Sequence, residues 1–405
     1  MKRRLFIAKN TGRLDLRLFY LARTLYMATE QVIGISIPII VYRDTRDPTL
    51  AALSFFAIWA PRCLFPFVAV RLIDATAPRL QMKVVDALRI TTLLGIAVLP
   101  VGAWLLIGAG LLSLLNLWAI ALFEKGLSVA APSNGGGSDR NAVEAFSAAL
   151  RADRVALTVS TIIGGTLLAS GTETLLIMGS VVVLCAAHVL QARSNLLHGL
   201  VTHRANPIGI WPIVRGVFAN KTLRRLIYLL WGLNLQQGMV FGALPVMMEA
   251  VFHQDPATAA AVFAGIHIGS WVVLRAYPAI ASHWAQPVRA TWAIVLYTLG
   301  LIAAFLTGNV VFFAVAICLP MSIRNSLDVE TIILRNRQIP DASFGQIMTV
   351  FLPLIYAPFA VAGLIVTWVF QLGGPPLLAP VMVVGALLFV VVWWVIIRQA
   401  FNAED

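Results

Sequence analysis

Apolar residues run along this chain in twelve long stretches, at about 18–42, 49–73, 86–106, 109–131, 155–171, 173–192, 226–250, 258–280, 290–307, 309–329, 345–370 and 376–397. A helix needs roughly 20 apolar residues to cross the hydrocarbon core of a bilayer. In lipid only helices and closed barrels satisfy every backbone N–H and C=O. Barrel strands are shorter and alternate apolar with polar positions, which these stretches do not. The pattern predicts an all-α membrane protein with twelve transmembrane helices and little chain left for a soluble domain.

The gaps between the stretches differ in charge. Basic residues crowd the N-terminal segment (Lys2 to Arg17) and every second gap after it: Arg71, Arg79, Lys83 and Arg89; Arg140, Arg151 and Arg154; Arg193 to Arg225; Arg275 and Arg289; Arg335 and Arg337; and Arg398 at the end. Of the other gaps, only the first contains basic residues, Arg43 and Arg46, each followed by an acid. Cytoplasmic loops carry the excess of Lys and Arg, so both termini are expected in the cytoplasm of a multi-pass protein of the bacterial inner membrane. The net charge of +12 is therefore read as topogenic, and nucleic acid is not an expected partner. The basic start of the chain reads as a retained tail rather than a signal peptide. Cys63, Cys185 and Cys318 are widely spaced in apolar surroundings and read as packing residues.

A repeat is visible as well. Gly34 is followed thirteen residues later by Asp47-Pro48, and Gly242 thirteen residues later by Asp255-Pro256, with Pro38 and Pro245 between. The offset of the Asp-Pro pairs, 256 − 48, is 208. The spans divide into two parallel, pseudo-repeated six-helix halves, at 1–192 and 226–405, joined by a basic connector at 193–225. Parallel repeats place a substrate path at their interface near the bilayer midplane. In the connector, Trp211, Ile213 and Val217 have the spacing of a short amphipathic surface helix. The run Ser133 to Ser138 is Gly-rich but lacks the Gly-Lys-Ser/Thr ending of a phosphate loop and reads as a tether.

This architecture resembles the major facilitator superfamily over essentially the whole chain. A local motif supports it: Val70-Arg71-Leu72-Ile73-Asp74-Ala75-Thr76-Ala77-Pro78-Arg79 stands where that superfamily has Gly-x-x-x-Asp-Arg-x-Gly-Arg, retaining Asp74 and the trailing Arg79 but not the glycines. The cadence Val41-Tyr42, Trp59-Ala60-Pro61-Arg62, Asp86, Arg89 and Asn220 to Arg225 resembles the branch of enterobactin-type exporters. The fifth-helix glycine motif of the superfamily's antiporters is reduced here to Ile163-Gly164-Gly165. The resemblance implies the major facilitator fold, alternating access and a monomer. It also implies a cytoplasmic gate at Asp74, Arg79, Asp86 and Arg89 that locks the halves together.

Charged groups inside a span cost about 2.5–3.5 kcal/mol on insertion scales and are functional candidates by default. Arg23, Met27, Glu30, Gly34 and Pro38 share one face of the first helix. That face is expected to look into a central cavity, with Arg23 and Glu30 either a static ion pair or part of the transport machinery. Glu30 is the leading candidate for a proton-carrying carboxylate, since burial and a neighbouring cation pull a carboxyl in opposite directions. His267 is a second proton-coupling candidate beside its more ordinary reading as a core histidine. Arg62, after Pro61 in span two, is the most isolated charge in the chain and binds an anionic substrate or pairs with Glu30. Gln31, Asn234, Gln236 and Gln237 suit a polar substrate or helix–helix hydrogen bonding. Arg324 and Asn325 join the substrate candidates, and Asp328, at i+4 from Arg324, is an ion-pair partner and gate candidate.

These residues predict a secondary active transporter that uses the proton gradient to export a small polar or anionic metabolite such as a siderophore. Its partners are that solute, protons and lipid; it needs no cofactor or metal. Import on the same fold is the alternative. A lipid-modifying membrane enzyme is the reading from a different class, but His198 and His203 have no acid close by and no catalytic motif around them. A passive channel suits the two-half organisation less well. The orientation is directly testable: a phosphatase reporter inserted at 43–48 should be active on the outer side of the membrane, and one inserted at 133–138 inactive.

Overall fold

The computed structural model describes residues 13–69, 72–73, 76–98, 103–130, 139–194, 209–340 and 343–397. Among them there is no strand. The helices are α1 (Arg13–Thr45), α2 (Pro48–Ala69, with a tighter turn at Ala60–Leu64), α3 (Pro78–Val98), α4 (Ala103–Ala130), α5 (Asp139–Ala169) and α6 (Glu173–Arg193). A short α7 (Ile210–Ala219) precedes α8 (Lys221–Ala250), α9 (Pro256–His283), α10 (Gln286–Phe305), α11 (Val310–Gln338), α12 (Phe344–Gly373) and α13 (Leu378–Val392, extended by a wide turn over Trp393–Ile397).

Ten of the described helices are long and apolar enough to cross a membrane. The other two long helices are α3, diluted by Arg79, Lys83, Asp86 and Arg89, and α8, diluted by Lys221, Arg224, Arg225 and Glu249. They complete the twelve by packing into the same bundle: α3 packs on α4 and α6, and α8 on α12 and α11.

Helix starts follow from their caps. Asp47 accepts hydrogen bonds from the Thr49 and Leu50 amides at 2.8 and 3.3 Å, with Pro48 at the first helical position. Asp255 does the same for Thr258 at 2.9 Å, with Pro256 behind it. A carboxylate cap and a proline at that position are both well matched to a helix N-terminus. The residues before the two caps, Arg46 and His253, adopt left-handed backbone with φ of 54° and 55°. Those two positions are 207 apart, as are Pro38 and Pro245, whereas the Asp-Pro pairs are 208 apart. The second turn therefore holds one extra residue, and the counterpart of Glu30 is Gln237 rather than Gly238.

Helices run past the apolar stretches. The fifth begins at Asp139 rather than near 155, and α11 continues to Gln338 rather than ending near 329. Arg151, Arg154 and Arg335 are thus helical, not loop residues. In α7, Ile213 and Val217 are buried and Trp211 is exposed, as its amphipathic spacing requires. The tether at 133–138 lies outside the described residues.

The halves α1–α6 and α8–α13 meet along two helix pairs, α5 with α9 and α2 with α12. We call the face where α1 turns into α2 the hairpin face and the opposite one the terminal face. On the hairpin face, a Cβ on Gly363 would stand 2.7 Å from the Phe56 backbone nitrogen and 2.9 Å from its Cα, and a Cβ on Gly165 would stand 2.2 Å from the Ala260 methyl. Small residues let helix backbones approach where lipid supplies no hydrophobic drive between them. Gly363→Ala should cost about 1–3 kcal/mol by overpacking and lower the thermal unfolding midpoint of the purified protein. Gly34→Ala meets open space and should leave the midpoint unchanged or raise it.

A charged cavity between the halves

The α1 stripe predicted from helical spacing lines a cavity of about 280 Å³ between the halves. Helices of both halves contribute to its wall, and nine Arg, Asp and Glu side chains reach it: Arg23, Arg62, Arg154, Arg324 and Arg335 against Glu30, Glu124, Asp153 and Asp328.

Three groups organise these charges. Nearest the terminal face, Arg23 on α1 donates through Nε and Nη2 to Asp153 on α5, at 3.2 Å each, and through Nη1 to Glu124 on α4 at 3.1 Å. The second oxygen of Glu124 accepts from Arg335 on α11 at 2.9 Å. Asp153, Arg23, Glu124 and Arg335 thus form one chain that crosses from the first half to the second. Arg23 does not pair with Glu30; Asp153 and Glu124 saturate it instead.

Deeper in the bundle, Arg62 on α2 forms an ion pair with Glu30 and donates through Nε to Ser113 Oγ on α4 at 2.7 Å. Its guanidinium lies 3.9 Å from the Trp59 ring centroid and 5.5 Å from that of Tyr356. Cation–π contact of this kind stabilises a desolvated guanidinium. Trp59 in turn stacks on Phe359 of the other half, with centroids 4.2 Å apart and planes at 16°, and both rings line the cavity.

In the second half, Arg324 on α11 donates to Gln237 and Asn234 on α8 and lies 3.6 Å from Asp328. The Asn234 amide donates onward to the Ile355 carbonyl at 2.5 Å. Glu30 and Gln237, each on the first helix of its half, thus both meet an arginine, Arg62 from α2 and Arg324 from α11. Gln31 and His267 meet across the halves at 3.1 Å between their ring and amide nitrogens.

Several predicted site residues lie elsewhere. Gln236 points to α13, donating to the Gly385 carbonyl at 3.3 Å, and Asn325 donates to Ser270 Oγ on α9 at 2.9 Å. Each is one residue, about 100° of helix, away from a cavity-lining neighbour. The predicted gate is also corrected. Asp86 binds Tyr26 and, at 2.6 Å, His188; Arg89 lies 4.6 Å from the Tyr26 ring centroid; Arg79 donates to the Ala192 carbonyl at 3.2 Å. All three bind α1 or α6 within the first half, so these contacts brace that half and do not lock it to the second. Asp74 lies outside the described residues. Asp328 faces the central cavity rather than the cytoplasmic edge.

Sequence reasoning missed Glu124, Asp153, Arg154 and Arg335. Glu124 lies inside the fourth apolar stretch, so the rule that singles out Glu30 applies to it equally. The other three look topogenic until α5 and α11 are seen to extend beyond their apolar segments.

No protein-family model matches the chain, and no curated protein sequence matches it. Solved structures do. A bacterial homologue of the iron transporter ferroportin in its outward-facing state superposes with TM-score 0.69 at 16% identity, covering 96% of this chain and 99% of its own. The human organic anion transporter MFSD10 (TETRAN) gives 0.75 at 12% identity, with 96% and 99% covered. A POT family transporter in complex with a thioalcohol-conjugated peptide gives 0.69 at 12% identity, with 93% and 95% covered. At these identities the likeness is one of fold, and the fold is the major facilitator fold.

The inter-half ionic chain carries a direct prediction. Removing one partner of a buried ion pair leaves the other desolvated and costs roughly 3–5 kcal/mol. Glu124→Gln should therefore lower thermal stability strongly, and adding Arg335→Met should recover part of the loss. An unchanged unfolding midpoint in Glu124→Gln would show that the chain does not hold the halves.

Proposed function

We propose that the protein is a secondary active transporter for small organic anions, working by alternating access of the two halves around the central cavity. The observation that carries this reading is the charge of the wall: five arginines face four carboxylates, and among the described residues Arg154 forms no ion pair. A cation without a counter-charge in a lipid-embedded bundle marks a place for a mobile anion. The basic face of the chain, where α1 begins, is read as cytoplasmic by the same charge bias as before.

Coupling to protons follows from the Glu30–Arg62 pair. While Glu30 is ionised it occupies the Arg62 guanidinium. A proton on Glu30 would release that guanidinium to a substrate anion, and an anion on Arg62 would free Glu30 to accept one, because the two compete for the same arginine. Either way, proton and anion bind together, which is the linkage of a symporter. An inward proton gradient then drives uptake. The export expected from the branch resemblance needs the opposite linkage, in which proton and substrate exclude each other, so this pair favours the import reading. The cavity, at about 280 Å³, lies just below the usual range of ligand sites, about 300–1,000 Å³, and in this conformation suits a small carboxylate better than a bulky siderophore.

Mass spectrometry of a panel of organic acids in proteoliposomes, with and without an inward proton gradient, tests this reading. Acid-driven accumulation inside the vesicles is expected. Glu30→Gln mimics the protonated carboxyl, so it should keep substrate exchange while gradient-driven accumulation falls at least about tenfold, a barrier change of roughly 1.4 kcal/mol. Unchanged accumulation in Glu30→Gln would remove Glu30 from the coupling, and acid-driven expulsion of the solute would establish antiport.

A further inference from the structure

The Glu30–Arg62 pair leaves a second constellation of the cavity unused, on the helix pair α5 and α9. The two helices run antiparallel along most of their length. Gly165 meets Ala260 near the hairpin face, while Phe146 and Leu150 cluster with Leu274 and Tyr277 near the terminal face. This register brings Arg154 within about one helical turn of His267.

Both side chains line the cavity, and both have unused hydrogen-bonding capacity. Arg154 Nε is buried without a protein partner among the described residues. The acids nearest in charge, Asp153 and Asp328, are already engaged, the first by Arg23 and the second by Arg324. His267 is 2% exposed. One ring nitrogen faces the Gln31 amide, and Nδ1 is buried without a protein partner. A buried, unsatisfied donor costs about 1–3 kcal/mol, more when charged, and here two residues that line one space each carry such an atom. Phe263, one turn before His267 on α9, and Phe241 on α8 line the same space and pack edge-on, with centroids 5.1 Å apart.

We infer that Arg154 and His267 seat the carboxylate of the transported anion, with its apolar body against Phe263 and Phe241. This inference rests on the anion-transporter reading above and names the place and class of its ligand. The carboxylate accepts from the Arg154 guanidinium and from His267 Nδ1–H. With the proton fixed on Nδ1, Nε2 becomes an acceptor and receives the Gln31 amide N–H. Substrate binding thereby fixes the tautomer that bonds α9 to α1 and draws the two halves together. Arg154 and His267 are binding residues; Gln31 is a positioning residue that acts through His267.

The test is calorimetry on the full chain in lipid nanodiscs, with benzoate as probe and benzamide as its neutral counterpart. Wild type should bind benzoate and not benzamide. Arg154→Gln should weaken benzoate binding about tenfold or more, the loss expected for a charge-assisted hydrogen bond, and Arg154→Lys should recover only part of it. The two amide replacements of the histidine separate its nitrogens. His267→Asn carries its amide near the Nδ1 position and should retain most of the binding. His267→Gln reaches toward Gln31 instead and should lose binding about as much as Arg154→Gln. Equal binding in wild type and Arg154→Gln, with loss only in Arg62→Gln, would overturn the seat and leave the transporter reading standing. Equal effects of His267→Asn and His267→Gln would overturn the role given to Nδ1. Absence of benzoate binding in wild type would overturn the seat, and if the organic-acid panel also fails to accumulate in proteoliposomes, the anion-transporter reading falls with it.

Discussion

Every ionised side chain inside a lipid-embedded bundle must find a counter-charge or a hydrogen bond within the protein, because no water waits outside the helices to receive it. Nine such side chains meet in one cavity here, and their pairing organises the rest of the structure. Arg23 cannot face lipid, so α1 turns its charged stripe inward toward Asp153 on α5 and Glu124 on α4. Glu124 in turn holds Arg335 on α11. Four helices from both halves are thereby oriented about one polar line, and the interface between halves becomes a place where partners can be exchanged. An apolar interface of the same area would hold the halves together but would offer a solute no hydrogen bonds and a proton no carboxylate.

The two halves repeat each other in backbone and diverge in chemistry. Their left-handed turns at Arg46 and His253 and their prolines Pro38 and Pro245, each 207 residues apart, pair Glu30 on α1 with Gln237 on α8. Each meets an arginine, Arg62 or Arg324. On the first helix of each half the cavity-facing residue is thus an acid in one and an amide in the other, while the second half carries its cavity carboxylate on α11, at Asp328. Arg324, held by two neutral amides and at 3.6 Å from Asp328, keeps its arrangement while Glu30 changes. A fixed wall facing a switchable one is what a directional cycle needs, because a ligand shifts a two-state equilibrium only by binding the two states differently.

Much of this was legible before any coordinates. Apolar length and the alternation of basic gaps specify twelve spans, and the Asp-Pro spacing specifies the repeat, because both are consequences of local chemistry at helix ends and in lipid. The face of α1 was legible from spacing alone. What escaped the sequence depends on where helices continue beyond their apolar segments and on rotation about their axes. Arg154 and Arg335 sit among residues polar enough to pass for loops, and only the continuation of α5 and α11 carries them into the cavity. Gln236 and Gln237, or Arg324 and Asn325, differ by one step around a helix, and composition does not say which of two adjacent polar residues looks inward. The motif of Asp86, Arg79 and Arg89 suggested a lock between halves, yet Tyr26, His188 and the Ala192 carbonyl satisfy these side chains inside the first half. A charge finds its partner in three dimensions, and the nearest suitable acceptors were on α1 and α6.

The contacts between halves also differ from one face to the other, and the difference bears on which side opens more readily. The α5–α9 pair touches near both faces and can act as the line about which the halves rock. Away from that line, the hairpin face is held by Gly363 against the Phe56 backbone and by the Trp59–Phe359 stack. Parting them exposes aromatic surface to water, at about 25 cal/mol for each Å² uncovered, with no compensating hydration of charge. The exposed Arg46–Glu249 pair on that face adds little, as surface ion pairs do. Toward the terminal face the corresponding link is Glu124 with Arg335. When that link parts, water reaches both ions and returns much of the hydration they lost on burial. The two faces therefore part different kinds of contact, although apolar packing of Phe146 and Leu150 on Leu274 and Tyr277 also joins the halves toward the terminal face. A substrate that bridges Arg154 and His267 and tightens the Gln31 contact acts beside the α5–α9 line, where a small change in contact alters the balance between the two openings without breaking either one directly.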